Sequence, residues 1–458
     1  MVVERLAKGD ISAVELLAAV EARVEAVNHS VNALPTTCFD RARAQAVRID
    51  GRPRGERGVF AGLPWPIKDS ARVAGVRTTY GSMAFLDYVP NASDYLVEAI
   101  EAEDGVVFAK SNTPEFEAGA NTFNDVFGRT LNPFDLTRSA GGSSGGAAVA
   151  VATGMAFLAQ GSDFACSLRY PAAFCNVVGL RPSPGLIPTG PTPLPFQTLS
   201  VAGPIARNIA DIGLAMDGMV RFDRRDPLSR APSRTYLRAS RAPHRPPRVA
   251  FSMDLGLSPV EGAVRTVVAA AMARLVREGL TVDESEPDLL ASHGAFKTLR
   301  AFQFAALHRG TLRKHRDKLK PEVVWNIEEG LKLNAEDIAW AEAARSDLRH
   351  GMLGFLAEHE FLITPTAPVE PFPVEQRFVS SIDGEKLSNY LDWLALGYAV
   401  TICGCPAISI PCGLSERGLP IGIQLIGRPY HETDLLSVAA WCEAALESGL
   451  KLPVEPAK

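Results

Sequence analysis

Histidine is sparse in this chain: eight are scattered over 458 residues, and none falls between His29 and His244. A local serine–histidine pair is therefore excluded for the serine-rich stretch inside that gap, and such a pair could form only through the fold. Cysteine is also thin. Seven in 458 residues do not make a disulfide framework, and Cys403 and Cys405 stand too close for metal-ligand spacing, so reduced and mostly buried thiols are expected, with no metal. A basic excess is missing, with a formal net charge of −5, which excludes a general nucleic-acid binder. The longest weakly interrupted apolar run, Ala147 to Ala159, carries Thr and Gly and is too short to span a bilayer. The opening segment around Glu4-Arg-Leu-Ala-Lys-Gly-Asp10 has no apolar signal core, so a cytoplasmic protein is expected.

What is present is a block of small residues. Gly141-Gly-Ser143-Ser144-Gly-Gly146 opens the stretch from Arg138 to Leu180, followed by an apolar helix at Ala147 to Thr153, then Gly161-Ser-Asp163 and Ser167. Small residues let backbones approach and leave N–H groups accessible. A helix N-terminus offers unpaired donors and partial positive charge, so it can hold an anion or an oxyanion. A packed helix start with tight turns fits the same residues. Gly142 to Gly146 also matches the G-x-S-x-G nucleophile elbow, a short pattern that glycine-rich text satisfies easily. No Gly-Lys-Ser or Gly-Lys-Thr follows, which argues against a Walker-type phosphate loop.

Around this block, helices and strands interleave. Ser12-Ala-Val-Glu15 is a capping box ahead of a helix carrying Leu16, Leu17, Val20 and Val24. Val59 to Asp69 reads as an extended apolar segment, because Pro64 and Pro66 exclude helix. It ends on Lys68, which either snorkels to water or pairs with Asp69. Strands are expected at 106–109, 177–180, 249–252, 361–365, 407–411 and 421–426, and helices at 40–49, 96–102, 209–220, 261–278, 294–318, 335–357 and 433–445. Arg230 to Arg248, with six arginines and four prolines, reads as a linker or exposed crossover. This alternation predicts an α/β sandwich around one extended sheet.

Three stretches then converge. Gly62-Leu-Pro-Trp-Pro-Ile-Lys68-Asp69, Gly141-Gly-Ser143-Ser144-Gly-Gly and Gly161-Ser-Asp163-Phe-Ala-Cys-Ser167-Leu-Arg169-Tyr-Pro together resemble the amidase signature family. The resemblance continues through Phe174-Cys-Asn-Val-Val-Gly-Leu-Arg-Pro, Cys405-Pro-Ala-Ile-Ser-Ile-Pro and Gly418-Leu-Pro-Ile-Gly-Ile-Gln-Leu-Ile-Gly-Arg. It covers nearly the whole chain, so residues 1–458 read as one domain, with core motifs at 59–220 and 401–430 and a variable region at about 190–400. The family's fold is a single large α/β domain whose twisted mixed sheet lies between helical layers. The resemblance implies cleavage of C–N bonds by a Ser–Ser–Lys triad, without metal or organic cofactor. By motif position Ser167 is the nucleophile, Ser143 the bridging serine with a cis peptide at its bond, and Lys68 the base. Backbone N–H groups of Phe164, Ala165, Cys166 and Ser167 are the implied oxyanion donors. Asp163 and Arg169 resemble residues that brace this loop, and an ion pair between them is expected.

The chemistry suits those residue types. A serine hydroxyl becomes nucleophilic when a neighbour takes its proton. A free lysine, at about 10.4, holds its proton at neutral pH, and burial lowers that value. Ser143, both donor and acceptor, can relay a proton between Ser167 and Lys68. One departure stands out: Ala165-Cys166 occupies the place where most members compared have Gly-Gly. This predicts an altered loop and a tighter acyl site, and raises Cys166 as a rival nucleophile. A pocket is expected from Leu194, Phe196, Gln197, Phe372, Phe378, Tyr390 and Trp393. Such an apolar lining favours small apolar or aryl amides, with carbamate (urethane) cleavage as a related activity. The expected partner is a small-molecule substrate, and the expected state a monomer or homodimer. The competing readings are an amidotransferase component working within a complex, an α/β-hydrolase using Ser144, and a binding protein on the same scaffold.

Overall fold

A computed structural model describes residues 2–231, 235–447 and 452–457. The large sheet has eight strands, in the order Val282–Glu284, Val249–Phe251, Leu362–Pro365, Pro420–Ile426, Ala407–Leu414, Val178–Arg181, Val201–Ala206 and Leu158–Asp163. The first three pair in parallel and the rest antiparallel, so the sheet is mixed. Its central strands are buried along their length, as strands covered on both faces must be. The fold is therefore the expected single-domain α/β architecture.

One extended sheet was expected; the strands at Pro64–Lys68 and Val106–Ser111 instead form a separate three-stranded sheet with Thr36–Thr37. Proline lacks the N–H that a ladder needs, which confines it to strand edges. Pro64 and Pro66 accordingly put their strand at the edge of the small sheet, paired in parallel with Val106–Ser111 and out of step after Trp65. A side chain crosses the gap to the large sheet: the Lys68 N–H donates to Gln160 Oε1 at 3.0 Å. Lys68 thus sits where the two sheets meet.

The capping box forms as read, with Glu15 N–H on Ser12 Oγ at 3.1 Å and Ser12 N–H on Glu15 Oε2 at 2.8 Å, opening Ala13–Val31. The long helical patterns appear as Gly262–Arg277, Ser292–His315 and Ala335–His359, joined by the unforeseen Pro321–Lys332. The apolar run from 147 is not helical throughout. The helix Gly145–Ala152 stops at Thr153, Gly154 takes φ +77°, and the chain re-enters the sheet at Leu158. In the arginine-rich stretch, residues 232–234 lie outside the described residues, and the short helix Tyr236–Ser240 follows. No helix among the described residues is long and apolar enough to cross a membrane.

Candidate active site

Lys68 is the last residue of its strand and is wholly buried, beside Trp65 and Ile67, which are equally buried. Neither alternative read from the strand alone occurs: Lys68 does not reach water and does not pair with Asp69. Asp69 accepts instead from Lys110 Nζ at 3.3 Å and from the Thr79 hydroxyl at 2.5 Å. Lys68 Nζ lies 2.6 Å from Ser143 Oγ and 2.8 Å from Ser162 Oγ. It also lies 2.6 Å from Glu117 Oε1. Burial pulls the Lys68 ammonium below the usual lysine range, against the opposing pull of the Glu117 charge.

Ser143 is buried and follows a cis peptide bond at Gly142–Ser143. The block around it needs glycine: a Cβ on Gly146 would stand 2.4 Å from Asn112 N and 2.5 Å from Ala33 O. This close packing also corrects an expectation. The start of the helix Gly145–Ala152 is not open to an anion, because Gly145 N–H donates to Thr122 Oγ1 at 3.2 Å and Gly146 N–H to Asn112 O at 3.3 Å. The open donors lie elsewhere. Between the strand Leu158–Asp163 and the helix Arg169–Phe174, none of the N–H groups of Phe164, Ala165, Cys166 and Ser167 donates to another described group. Ser167 keeps 6% exposure, and its hydroxyl hydrogen-bonds no other described residue. The serine segments are tied through the backbone, with Ser144 N–H on Ser167 O at 3.2 Å.

The loop carrying these donors is braced from below. Arg169 forks onto Asp163, Nε to Oδ2 at 3.1 Å and NH2 to Oδ1 at 3.0 Å, and its NH2 also holds the Ala165 carbonyl at 2.7 Å. Arg181 adds a second charge 3.4 Å from Asp163 Oδ1. Burial alone would raise the Asp163 carboxyl; the two guanidiniums outweigh it and hold the group below the usual carboxylate range. The expected ion pair is present.

A profile of the Amidase family matches residues 15–436. An acylamidase of Rhodococcus erythropolis is 33% identical over 98% of this chain and 95% of its own length. A glutamyl-tRNA(Gln) amidotransferase component from Moorella thermoacetica is 31% identical over 98% of this chain and 96% of its own. A bacterial aryl acylamidase described as an amidase signature enzyme superposes with a TM-score of 0.90 at 27% identity, covering 97% of this chain and 95% of that one. This chain belongs to the amidase signature family. Its fold and family are those the sequence motifs implied.

Within this family frame, one expectation about the Ala165-Cys166 departure falls away, that of Cys166 as a rival nucleophile. None of Phe164, Ala165, Cys166 and Ser167 takes a positive φ, so Ala and Cys sit there without left-handed strain. Cys166 is 1% exposed and turns inward against Gly397, where an added Cβ would stand 2.5 Å from its own. Burial pushes its thiol well above the usual range, which removes it as a nucleophile. Ser144 is buried too, and its hydroxyl donates to Ser162 O at 3.2 Å, with no histidine hydrogen-bonded to it among the described residues. That removes the α/β-hydrolase elbow.

The predicted pocket residues fall into one loop and two packed pairs. Phe196 is 74% exposed on a loop with prolines at 191, 193 and 195. Leu194 is half-buried in the same loop, and Gln197 closes locally on Ser200 O at 2.9 Å. Phe372 and Trp393 are core, packed edge to face at 5.5 Å and backed by Phe174 and Tyr170. Tyr390 is buried against Phe378 and takes hydrogen bonds from Asn326 and Arg300. An aromatic cluster adjoining the donor loop was missed, half-buried at Phe164 and buried at Phe296 and Phe304. Phe164 packs edge to face on Phe296 at 5.9 Å, and the Arg300 guanidinium bridges Phe164 at 5.0 Å and Phe304 at 4.5 Å. The helical pattern at 294–318 held these residues without marking which face would meet Phe164. Glu117 was missed as well; it lies just past the turn read at Asn112-Thr-Pro-Glu-Phe.

Proposed function

We propose that this amidase signature hydrolase cleaves the C–N bond of small apolar or aryl amides through an acyl-enzyme on Ser167. The observation that carries the reading is a buried lysine amine 2.6 Å from the Ser143 hydroxyl, with the Ser143 segment tied to the Ser167 backbone. Ser167 Oγ attacks the carbonyl carbon while its proton passes to Ser143 and the Ser143 proton passes to Lys68. The oxyanion forms among the N–H groups of residues 164–167, and one such donor is worth about 2.7–4 kcal/mol. The relay run backwards protonates the departing amine, and water then frees the acid by the same route. No step requires a metal or organic cofactor.

The half-buried Phe164 on the donor loop, backed by the buried Phe296 and by Arg300 and Phe304, supports aryl or alkyl groups beside the reacting carbonyl. The neighbour described as an aryl acylamidase supports the same class. Carbamates present the same carbonyl chemistry, with carbon dioxide lost after the carbamic acid forms, and urethane cleavage belongs to the proposed range. A panel of matched p-nitroanilide, primary amide and carbamate substrates on wild type and Ser167→Ala tests the reading. Anilide turnover lost in Ser167→Ala is expected; turnover retained in the variant overturns it.

The second reading, a component of an amidotransferase complex, is favoured by relatives of that description at 29–33% identity. Glutaminase activity and copurifying partner proteins are its signature. A small-molecule substrate, a cytoplasmic setting and a monomer or homodimer belong to the first.

A further inference from the structure

Lys68 has three close oxygen neighbours, and the third is a carboxylate outside the lysine–serine set. Glu117 Oε1 is 2.6 Å from Lys68 Nζ, accepts a hydrogen bond from Ser70 Oγ at 2.9 Å, and accepts a short one from Ser162 Oγ. Ser162 gives its one proton to Glu117, so Lys68 must donate to Ser162. With Ser143 and Glu117 as the other neighbours, all three N–H bonds of an ammonium are used and no lone pair faces Ser143. For Lys68 to take a proton from Ser143, one of its own must leave. Among the described residues, Glu117 is the only carboxylate within salt-bridge distance of Nζ.

The backbone holds Glu117 in this position at a cost. Phe116 at φ +46° and Glu117 at φ +60° are consecutive non-glycine residues in left-handed conformation, which is unfavourable by about 1–2 kcal/mol for each. Phe116 N–H on Tyr80 O and Glu117 N–H on Pro114 O, both at 2.9 Å, fix the turn. The Glu117 side chain keeps 23% exposure while Lys68 has none.

We propose that Glu117 is the final proton acceptor of the relay, an inference that rests on the serine–serine–lysine reading above. As Ser167 Oγ bonds to the carbonyl carbon, its proton moves to Ser143 Oγ, the Ser143 proton moves to Lys68 Nζ, and one Lys68 proton moves to Glu117 Oε1. The lysine ends as it began, a cation, and the carboxylate ends as a carboxylic acid. When the C–N bond breaks, the amine nitrogen takes a proton from Ser143, Ser143 is refilled from Lys68, and Glu117 returns its proton to Lys68. The active form is then a pair holding one proton between them, and it is lost only when a second proton binds.

The other charged groups around the pair are accounted for. Asp163 is committed to Arg169 and Arg181, and Asp69 to Lys110. Cys166 is held neutral by burial, and burial pushes the His308 imidazole, on the helix Ser292–His315, down to about 4. Arg300 on that helix lies over Phe164 and Phe304. Glu115, on the same turn as Glu117, accepts from Ser82 and from the Lys320 N–H. Burial brings Lys320 to about 8, and its ammonium donates to Ala118 O. Lys320 is common to all variants below, so its titration does not distinguish them.

The test is kcat/KM against pH for wild type, Glu117→Gln and Glu117→Asp with one anilide. In wild type the acid limb falls in the carboxylate range, because the Lys68 charge and its hydrogen bonds hold Glu117 low despite burial. In Glu117→Gln the base is Lys68 alone, and the limb rises by about two pH units or more, a loss that reaches about 100-fold at acid pH below both limbs and recovers at alkaline pH. Glu117→Asp restores a carboxylate-range limb. A limb that moves down in Glu117→Gln would mean that the carboxylate only stabilises the ammonium, and would overturn the proposal; so would a uniform loss with an unmoved limb. If Glu117→Gln fails to fold, a wild-type limb above about pH 7 overturns it alone. Fluorophosphonate labelling of Ser167 is read in parallel: its absence defeats the acyl-enzyme reading, whereas labelling with an unmoved limb defeats only the role of Glu117.

Discussion

Two lysines lie buried on adjacent parallel strands, and their surroundings differ. Lys68 ends the strand Pro64–Lys68, and Lys110 sits one register position back on Val106–Ser111; neither has any exposed surface. Each has a carboxylate, Glu117 at 2.6 Å for Lys68 and Asp69 at 3.3 Å for Lys110. Burial lowers both below the usual range, so burial alone does not make a base. The neighbours differ. Lys110 donates to the Ala71 carbonyl at 2.7 Å and to Thr78 Oγ1 at 2.9 Å, whose own proton goes to Val76 O. Neither partner leads towards a substrate. Lys68 faces Ser143, a hydroxyl that both gives and takes protons on the segment tied to Ser167. A buried cation becomes chemical when its acceptor can pass a proton onward.

Breaking each lysine separates chemistry from architecture. Lys68→Met should cost about 10⁴-fold or more in kcat with the fold retained, as loss of a relay member does elsewhere. Steady-state rates beside a circular dichroism melt read both. Lys110→Met leaves Asp69 charged and unpaired in the interior and should cost about 3–5 kcal/mol of stability in urea, with turnover per folded molecule largely kept. A large rate loss in a stable Lys110→Met protein would erase the contrast between the two.

The Asp163 cluster extends the architectural side. Its folded carboxyl lies low, so it contributes stability that is full above the unfolded value of about 3.9 and lost as pH falls through the folded one. Asp163→Asn should lower the melting temperature near pH 7, with the difference from wild type shrinking as pH approaches 2. The smallest effect is at Gly397. A methyl there meets Cys166 Cβ at 2.5 Å and Ala165 O at 2.6 Å, so Gly397→Ala should cost about 1–3 kcal/mol, and adding Cys166→Gly should return part of it. A Gly397→Ala protein as stable as wild type would mean that Cys166 lies elsewhere.

Sequence carried the position of a candidate site residue wherever it follows from that residue's own segment. Lys68 closes a proline-stiffened strand, Ser143 sits in a glycine block, and Asp163 and Arg169 flank one loop; these were legible. Features set by a distant partner were not. Whether Cys166 turns inward depends on a glycine in another helix, and whether Phe196 folds back is not written in a loop of prolines. Glu117 depends on two left-handed residues, a conformation that Phe and Glu do not advertise. Pro64 and Pro66 fit an edge strand, but nothing in them says that the edge belongs to a second sheet.

The account turns on Lys68 activating Ser167 through Ser143, and peptide mass spectrometry after fluorophosphonate treatment tests that directly. Wild type should carry the adduct on Ser167, Lys110→Met should carry it equally in its folded fraction, and Lys68→Met should be labelled far more slowly. An adduct on Ser144 or Cys166, or undiminished labelling of Ser167 in Lys68→Met, would contradict it.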